Sequence, residues 1–398
     1  MSLVDAPSFA ASSTPIRSTK LPADAYILSI ASLPSYYAAS ASSPSNAIHL
    51  FDKARLQNVQ TLPGHESSIT TLRTVPNVAN AATHALLSSG KDGAVKVWDE
   101  RSGSAALRMT ASSAGTASGL LSCDVSADGL TIAAGTELQG EDASILYWDP
   151  RNPAAPLRVH SSTHSDDITA LHFFRPATSS TSNAGNLLLS ASSDGLICTS
   201  NADEADEDEA GLHVGNWGCS IAQAGWLHDH AGRPAAWASS DMETFSVWTT
   251  ELDRIQDADI RQPSVHRQDL TWVTDYLIGC HNASSPIGGT DNDLCLFAGS
   301  NECGDIALIT KPTFSNPDTP WVLQRTWTGG HVGIVRAALW DERNNVLLTG
   351  GEDSKLNIWT AHQPEPVSSP GKIKRANDVD PMDIDEDGDV ATRKKRRA

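Results

Sequence analysis

A histidine, a hydroxyl and an aspartate in close succession, His65, Ser88 and Asp92, are the side-chain types of a hydrolase triad: base, nucleophile and orienting carboxylate. The same set returns as His331, Thr349 and Asp353, and again as His164, Ser190 and Asp194. A catalytic set has no reason to recur along a chain, whereas a hydrogen-bonded network inside a repeated structural unit must. Two of the three sets are followed by a tryptophan, Trp98 and Trp359, so each complete set is expected to tie a turn to a strand.

Other chemistries lose their anchors in turn. His228-Asp229-His230 carries ligand-capable side chains, but a metal site needs three or four converging ligands, and an exposed loop is expected there. No G-x-x-x-x-G-K-[ST], H-E-x-x-H or G-x-S-x-G occurs, so the phosphate-binding, zincin and hydrolase readings have no support. The cysteines, Cys123, Cys198, Cys219, Cys280, Cys295 and Cys303, form no C-x-x-C pair and read as buried free thiols. The expectation is a protein that is not an enzyme, with no cofactor and no metal.

The chain has 398 residues, 39% of them hydrophobic before its 28 glycines are counted, which is the composition of a folded body. Lys+Arg 29 against Asp+Glu 48 gives a net charge of −19, the wrong sign for direct binding to nucleic acid over a broad surface. No stretch approaches the ~18 apolar residues of a membrane helix, and the N-terminus lacks the apolar core of a secretory signal. A soluble, intracellular monomer with no membrane contact is expected, and the sequon at Asn282 reads as chance.

The elements that must position these groups are short strands. Gly64-His65 is followed by the alternating run Ile69 to Leu72, then Leu86 to Gly90, the turn Lys91-Asp92-Gly93, and Ala94 to Asp99. Gly330-His331, Ile334 to Leu339, Val346 to Gly350, Glu352-Asp353-Ser354 and Lys355 to Trp359 repeat that order. These residues resemble the WD-repeat family, whose implied fold is all-β, a β-propeller of four-stranded blades. In that family the His, Ser or Thr, Asp and Trp form the network. Third-strand endings at Phe51-Asp52, Trp98-Asp99, Trp148-Asp149, near Ser200, Trp248-Thr249, near Thr310 and at Trp359-Thr360 predict a seven-bladed propeller. Polar runs at Ala111 to Gly119, Ala177 to Asn186 and His281 to Asp293 account for a spacing near fifty residues.

The expected organisation is a disordered N-terminus over 1–13, the propeller over 14–360 and a disordered charged C-terminal tail over 361–398. Ile16 to Leu21 is expected to close the ring by pairing with the strand of Trp359; Glu365-Pro366-Val367 is the rival, disfavoured by its prolines. The succession Ser192 to Ile197, Asp203 to Ala210, Ser220-Ile221, Gly225-Trp226 and Met242 to Trp248 is similar to the WD repeat-containing protein 89 family. That likeness implies a nuclear or cytoplasmic binding protein and names no chemistry.

Three charge features remain. Asp203, Glu204, Asp206, Glu207, Asp208 and Glu209 place six carboxylates in seven residues between the third and fourth strands of blade four. They read as a mobile acidic tongue that either recruits a basic protein or only solvates the surface. The tail carries 8 Lys/Arg and 8 Asp/Glu, leaving 21 − 40 = −19 on the body. Its clusters Lys372, Lys374, Arg375 and Arg393, Lys394, Lys395, Arg396, Arg397 bracket the acidic Asp378 to Asp389, like a bipartite import signal read by an importin; the alternative is a solubilising tail. Arg101 and Arg151 end two W-D-x-R sequences, which look like the motif that docks some WD-repeat proteins onto cullin-RING ubiquitin ligase adaptors; the alternative is an arginine lying along the blade rim. The function expected is a non-catalytic interaction scaffold or chaperone-like adaptor for a basic protein, nuclear with the cytoplasm also open. The alternative is a substrate receptor of a cullin-RING ligase.

Overall fold

The computed structural model describes residues 3–79, 84–100, 103–111, 118–176, 186–229, 231–262, 264–266, 271–281, 293–300 and 304–360. The chain divides into a body, residues 1–363, and a C-terminal unit, residues 364–398, which lies outside the described residues together with 361–363. Two strands, β1 (Leu3–Ser12) and β2 (Arg17–Lys20), precede the first blade. Blade one is β3 (Ile27–Ser32), β4 (Tyr36–Ala41), β5 (Ile48–Asp52) and β6 (Asn58–Leu62). Blade two is β7 (Ile69–Val75), β8 (Ala85–Gly90), β9 (Ala94–Trp98) and β10 (Ala105–Thr110). Blade three is β11 (Leu120–Val125), β12 (Ile132–Thr136), β13 (Ala143–Trp148) and β14 (Arg158–His164). Blade four is β15 (Ala170–Phe173), β16 (Leu187–Ala191), β17 (Leu196–Asn201) and β18 (Gly211–Asn216), with the one-turn helix α1 (Glu207–Ala210) before its last strand. Blade five is β19 (Ile221–His228), β20 (Pro234–Ser240), β21 (Thr244–Trp248) and β22 (Arg254–Asp259). A hairpin, β23 (Ser264–His266) and β24 (Thr271–Val273), leads to blade six, β25 (Tyr276–His281), β26 (Leu294–Gly299), β27 (Ile306–Lys311) and β28 (Trp321–Trp327). Blade seven is β29 (Val335–Asp341), β30 (Val346–Gly351) and β31 (Lys355–Thr360).

Each blade is a small antiparallel meander, so local hairpin pairing builds it. The second strand lies between neighbouring blades and is buried on both faces, as in Ala85–Gly90, where every residue is buried. The fourth strand is an edge and alternates, as in Ala105–Thr110. Seven buried apolar clusters result, each shared by two neighbouring blades; Leu50 and Ala38 meet Leu86 and Trp98 in one, and Leu348 meets Tyr37 and Phe51 in another. The body is a seven-bladed β-propeller.

Among the described residues, blade seven has three strands consecutive in sequence. β2 supplies the fourth, antiparallel to β31, with Arg17 opposite Ile358 and Lys20 opposite Lys355, so the expected closure by Ile16 to Leu21 is what forms. Residues 3–12 depart from the expected disorder. β1 runs parallel to β28, from Leu3 opposite Trp321 to Ser12 opposite Trp327, and makes blade six five-stranded. Ala6 and Ala10 are buried, and Leu3 and Phe9 pack on the cluster between blades five and six. A register irregularity between Asp5 and Ala10, spanning Pro7, breaks the period-two pattern, and a parallel partner leaves no turn signal.

Candidate interaction surfaces

In blade two the expected network closes. His65 lies between β6 and β7; its Nδ1 is 2.8 Å from Asp92 Oδ1 and its Nε2 is 2.8 Å from Ser88 Oγ. Trp98 Nε1–H donates to the same Ser88 oxygen at 2.9 Å. The hydroxyl, accepting from the indole, donates to His65 Nε2, which assigns the ring proton to Nδ1 facing Asp92. Blade seven repeats this with His331, Asp353, Thr349 and Trp359, and the Asn357 amide also donates to His331 Nε2 at 3.0 Å, which requires the same tautomer. Burial acts to raise the Asp92 carboxyl, but the hydrogen bonds from His65 and the Glu66 amide outweigh it and hold it down at about 2; Asp353 is held at about 2 in the same way. Ser88 and Thr349 have no exposed surface, so neither hydroxyl can reach a substrate. Gly90 belongs to this arrangement, because a Cβ there would lie 2.6 Å from His65 Nδ1.

Elsewhere the network is partial. In blade four, His164 bonds Ser190 and Asp194, but Ser200 occupies the tryptophan's position, and Tyr147 and Phe173 supply the aromatic bulk of that interface. In blade five, Trp248 Nε1–H donates to Ser246 on its own strand at 2.8 Å, so the hydroxyl has moved from the second strand to the third. A different buried node ties blades two, three and four. Asp124 on β11 accepts from Arg175 at 2.8 and 3.1 Å and from the Phe173 amide, and pairs with Arg73 at 3.3 Å. Burial opposes ionisation of Asp124, yet the two guanidiniums hold it at about 2. His172 beside them is driven down to about 3 by burial and by Arg73, whose Nη1 donates to its Nδ1 at 3.3 Å. The expectations from sequence omitted this node; a lone acid in the apolar run Leu120 to Val125 was its only mark. Arg73 and His172 line a central channel of about 480 Å³, edged also by Arg336 and Gln223.

The acidic segment is folded, not a mobile tongue. The Asp206 side chain caps α1 by accepting from the Asp208 amide at 3.1 Å, and Ala210 is buried. Glu207 reaches β14 of blade three, accepting from the Ser161 and Ser162 amides at 2.8 Å each and from Thr163 Oγ1 at 2.7 Å. Burial opposes its ionisation, but these donors keep its pKa lowered. Asp203 accepts from the Asn186 side chain at 2.7 Å. Asp203, Asp206, Asp208 and Glu209 remain exposed, and among the described residues none of the six carboxylates pairs with a Lys or Arg.

Arg151 is exposed and folds back on its own strand end, with Nε and Nη2 donating to Asp149 at 2.9 and 2.7 Å, and that contact pulls Asp149 down to about 2. Arg101 lies outside the described residues, as do Lys372, Lys374, Arg375, Arg393, Lys394, Lys395, Arg396 and Arg397. Asp229 closes on Arg233 at 2.6 Å, His230 is outside the described residues, and among the described residues no three His, Cys, Asp or Glu side chains are grouped to hold a metal. No described helix is long and apolar enough to cross a membrane.

Comparison with known proteins agrees with this geometry. The family described as "WD domain, G-beta repeat" matches residues 56–99 and 321–360, which contain most of blades two and seven. The WD repeat-containing protein 89 homolog of Dictyostelium discoideum is 28% identical over 341 residues, covering 84% of this chain and 82% of that protein. The WD repeat-containing protein GTS1 of Arabidopsis thaliana is 27% identical over 348 residues, covering 85% of this chain and 82% of that protein. Among solved structures, the computationally designed Ika8 protein superposes with a TM-score of 0.58 over 88% of this chain and 98% of its own, at 17% identity, a likeness of fold alone. With two complete His-Ser/Thr-Asp-Trp networks and seven blades, the chain carries WD repeats and is similar over most of its length to the WD repeat-containing protein 89 homolog.

Proposed function

We propose that this protein is a non-catalytic interaction scaffold that binds a basic protein partner and acts in the nucleus. A WD-repeat propeller fits a scaffold in general, and protein partners are what such propellers bind. The observation that carries the finer reading is the set of exposed carboxylates at Asp203, Asp206, Asp208 and Glu209, which no described cation neutralises, on a chain of net charge −19. That field favours encounter with a cationic protein and disfavours nucleic acid. Nuclear import rests on the basic clusters of the tail, where an importin is the expected reader.

The test is binding of the purified full chain to a histone or a basic ribosomal protein across a salt series, beside an acidic protein as control. Affinity for the basic proteins that falls as salt rises supports the reading; equal affinity for the acidic control removes it. Neutralising both tail clusters in a bulky fluorescent fusion should move it to the cytoplasm, and unchanged nuclear accumulation would reject the tail as the signal. The cullin-RING receptor reading has less support, because Arg151 is already bonded to Asp149. A purification without cullin or adaptor peptides would end it.

A further inference from the structure

The fourth strand of every blade but the sixth is an edge, and a chain that stays unpaired must guard such edges. Four of them carry a cation: Arg17 and Lys20 on β2, Arg108 on β10, Arg158 on β14 and Arg254 on β22. β6 of blade one and β18 of blade four carry no Lys, Arg, Asp or Glu; Lys53 and Arg55 stand before β6, whereas the acidic run stands before β18. Residues 211–214 are exposed without a break, with Leu212 at 49% and Val214 at 65%. The protein itself shows what an outer edge of this kind accepts, since β28 of blade six takes β1 as a fifth strand through backbone pairing.

We propose that the edge of β18, which no described strand pairs, is a docking site for an extended basic segment of a partner protein, which joins blade four as a fifth strand; this rests on the basic-partner reading above. Main-chain hydrogen bonds along the edge supply affinity, and side chains on alternate residues supply selectivity. Leu212 and Val214 offer aliphatic contact. The exposed acids Asp203, Asp206, Asp208 and Glu209 stand directly before the strand and select Lys or Arg in the incoming segment. A second copy of this chain is the wrong occupant, because it would set two such acidic runs, on two bodies of net charge −19, against each other.

The probe is a short, labelled synthetic peptide of alternating Lys and Val, titrated into the full chain by fluorescence anisotropy. A second peptide has the same side chains with alternate backbone nitrogens methylated, so its charge is kept and its strand pairing is lost. The first peptide should bind and slow amide exchange in β18, and the methylated one should bind roughly tenfold more weakly or worse. Leu212→Lys with Val214→Lys, both at exposed positions, should weaken the first peptide by a similar factor while leaving the melting temperature unchanged. Equal binding of the two peptides, or unchanged binding to the lysine variant, overturns the proposal. If binding survives those lysines but is lost in Asp208→Asn with Glu209→Gln, the contact is electrostatic only: the edge proposal fails and the basic-partner reading stands. Failure of the first peptide to bind at all also overturns the edge proposal, while the salt series with intact basic proteins decides the wider reading separately.

Discussion

Glu207 Oε1 accepts a hydrogen bond from Thr163 Oγ1 at 2.7 Å, joining the acidic segment of blade four to the outer strand of blade three. Of the six neighbouring carboxylates, Glu207 is therefore the one whose described hydrogen bonds tie blade four to blade three. Glu207→Gln should cost about 1 kcal/mol, because exposed donors on β14 recover water when the carboxylate is lost. Asp208→Asn and Glu209→Gln should leave stability unchanged and weaken binding of basic proteins at low salt. Urea midpoints for the three variants, read beside their salt-dependent affinities, check this separation; equal losses of stability in all three would contradict it.

Two successive strands at the N-terminus extend the ring: β2 closes blade seven and β1 adds to blade six. Deleting residues 1–13 removes β1 and the half-buried Leu3 and Phe9 from the blade six cluster, at a cost of about 2 kcal/mol. Deleting 1–22 also removes β2 and the buried Leu21, exposes the edge of β31 and should cost roughly 4 kcal/mol or more. Melting curves of the two truncations should therefore fall in that order. Identical curves for both would mean that β2 contributes nothing to closure.

The hydroxyl of Ser88 bonds two side chains at 2.8 and 2.9 Å, whereas that of Ser246 accepts from the Trp248 indole at 2.8 Å and donates to the Ala238 carbonyl only at 3.5 Å. Ser88→Ala leaves His65 Nε2 and Trp98 Nε1–H without their partner in a site closed to water, costing roughly 2–4 kcal/mol. Ser246→Ala orphans the indole donor and should cost about 1–2 kcal/mol. Chemical unfolding of the pair tests the ranking, and a larger loss for Ser246→Ala would contradict it.

Acid should destabilise the propeller in two stages. His172 is depressed to about 3 in the fold, so between 6.5 and 3 the unfolded chain holds a proton on it that the folded chain does not. Stability therefore falls as pH drops through that window, by about 1–2 kcal/mol at pH 5 from this group. His172→Gln should flatten that part of the profile of melting temperature against pH. Asp92, Asp124 and Asp353, each held at about 2 against an ordinary 3.8, add stability that is full above 3.8 and is lost as pH falls toward 2. An unchanged slope between pH 7 and 5 in the His172 variant would contradict the assignment.

The buried node offers a last check. Asp124→Asn removes the buried carboxylate shared by Arg175 and Arg73, whose guanidiniums keep part of their surface in solvent, and should cost about 1–3 kcal/mol. Arg175→Leu in the same background should recover part of that loss, since it removes one of the stranded charges. A double-mutant cycle with no coupling would show that the ion pair is not shared in this way.

What the sequence determined by itself follows from local chemistry repeated at a period. His65, Ser88, Asp92 and Trp98 were legible because each blade is a meander whose turns and strands are built from neighbours in the chain, and seven third strands could be counted for the same reason. Closure by β2 was legible from the likeness of Thr19-Lys20-Leu21-Pro22 to Gln60-Thr61-Leu62-Pro63. Tertiary structure alone decided the rest. β1 finds a parallel partner more than three hundred positions away, and no local pattern encodes a strand whose stability comes from the Leu3 and Phe9 contacts on another blade. Six adjacent acids read alike as a sequence; only the approach of β14 singles out Glu207, because Ser161, Ser162 and Thr163 come from the preceding blade. Asp124, Arg175 and Arg73 come from three different blades, and closing the ring is what brings the two guanidiniums onto the buried carboxylate.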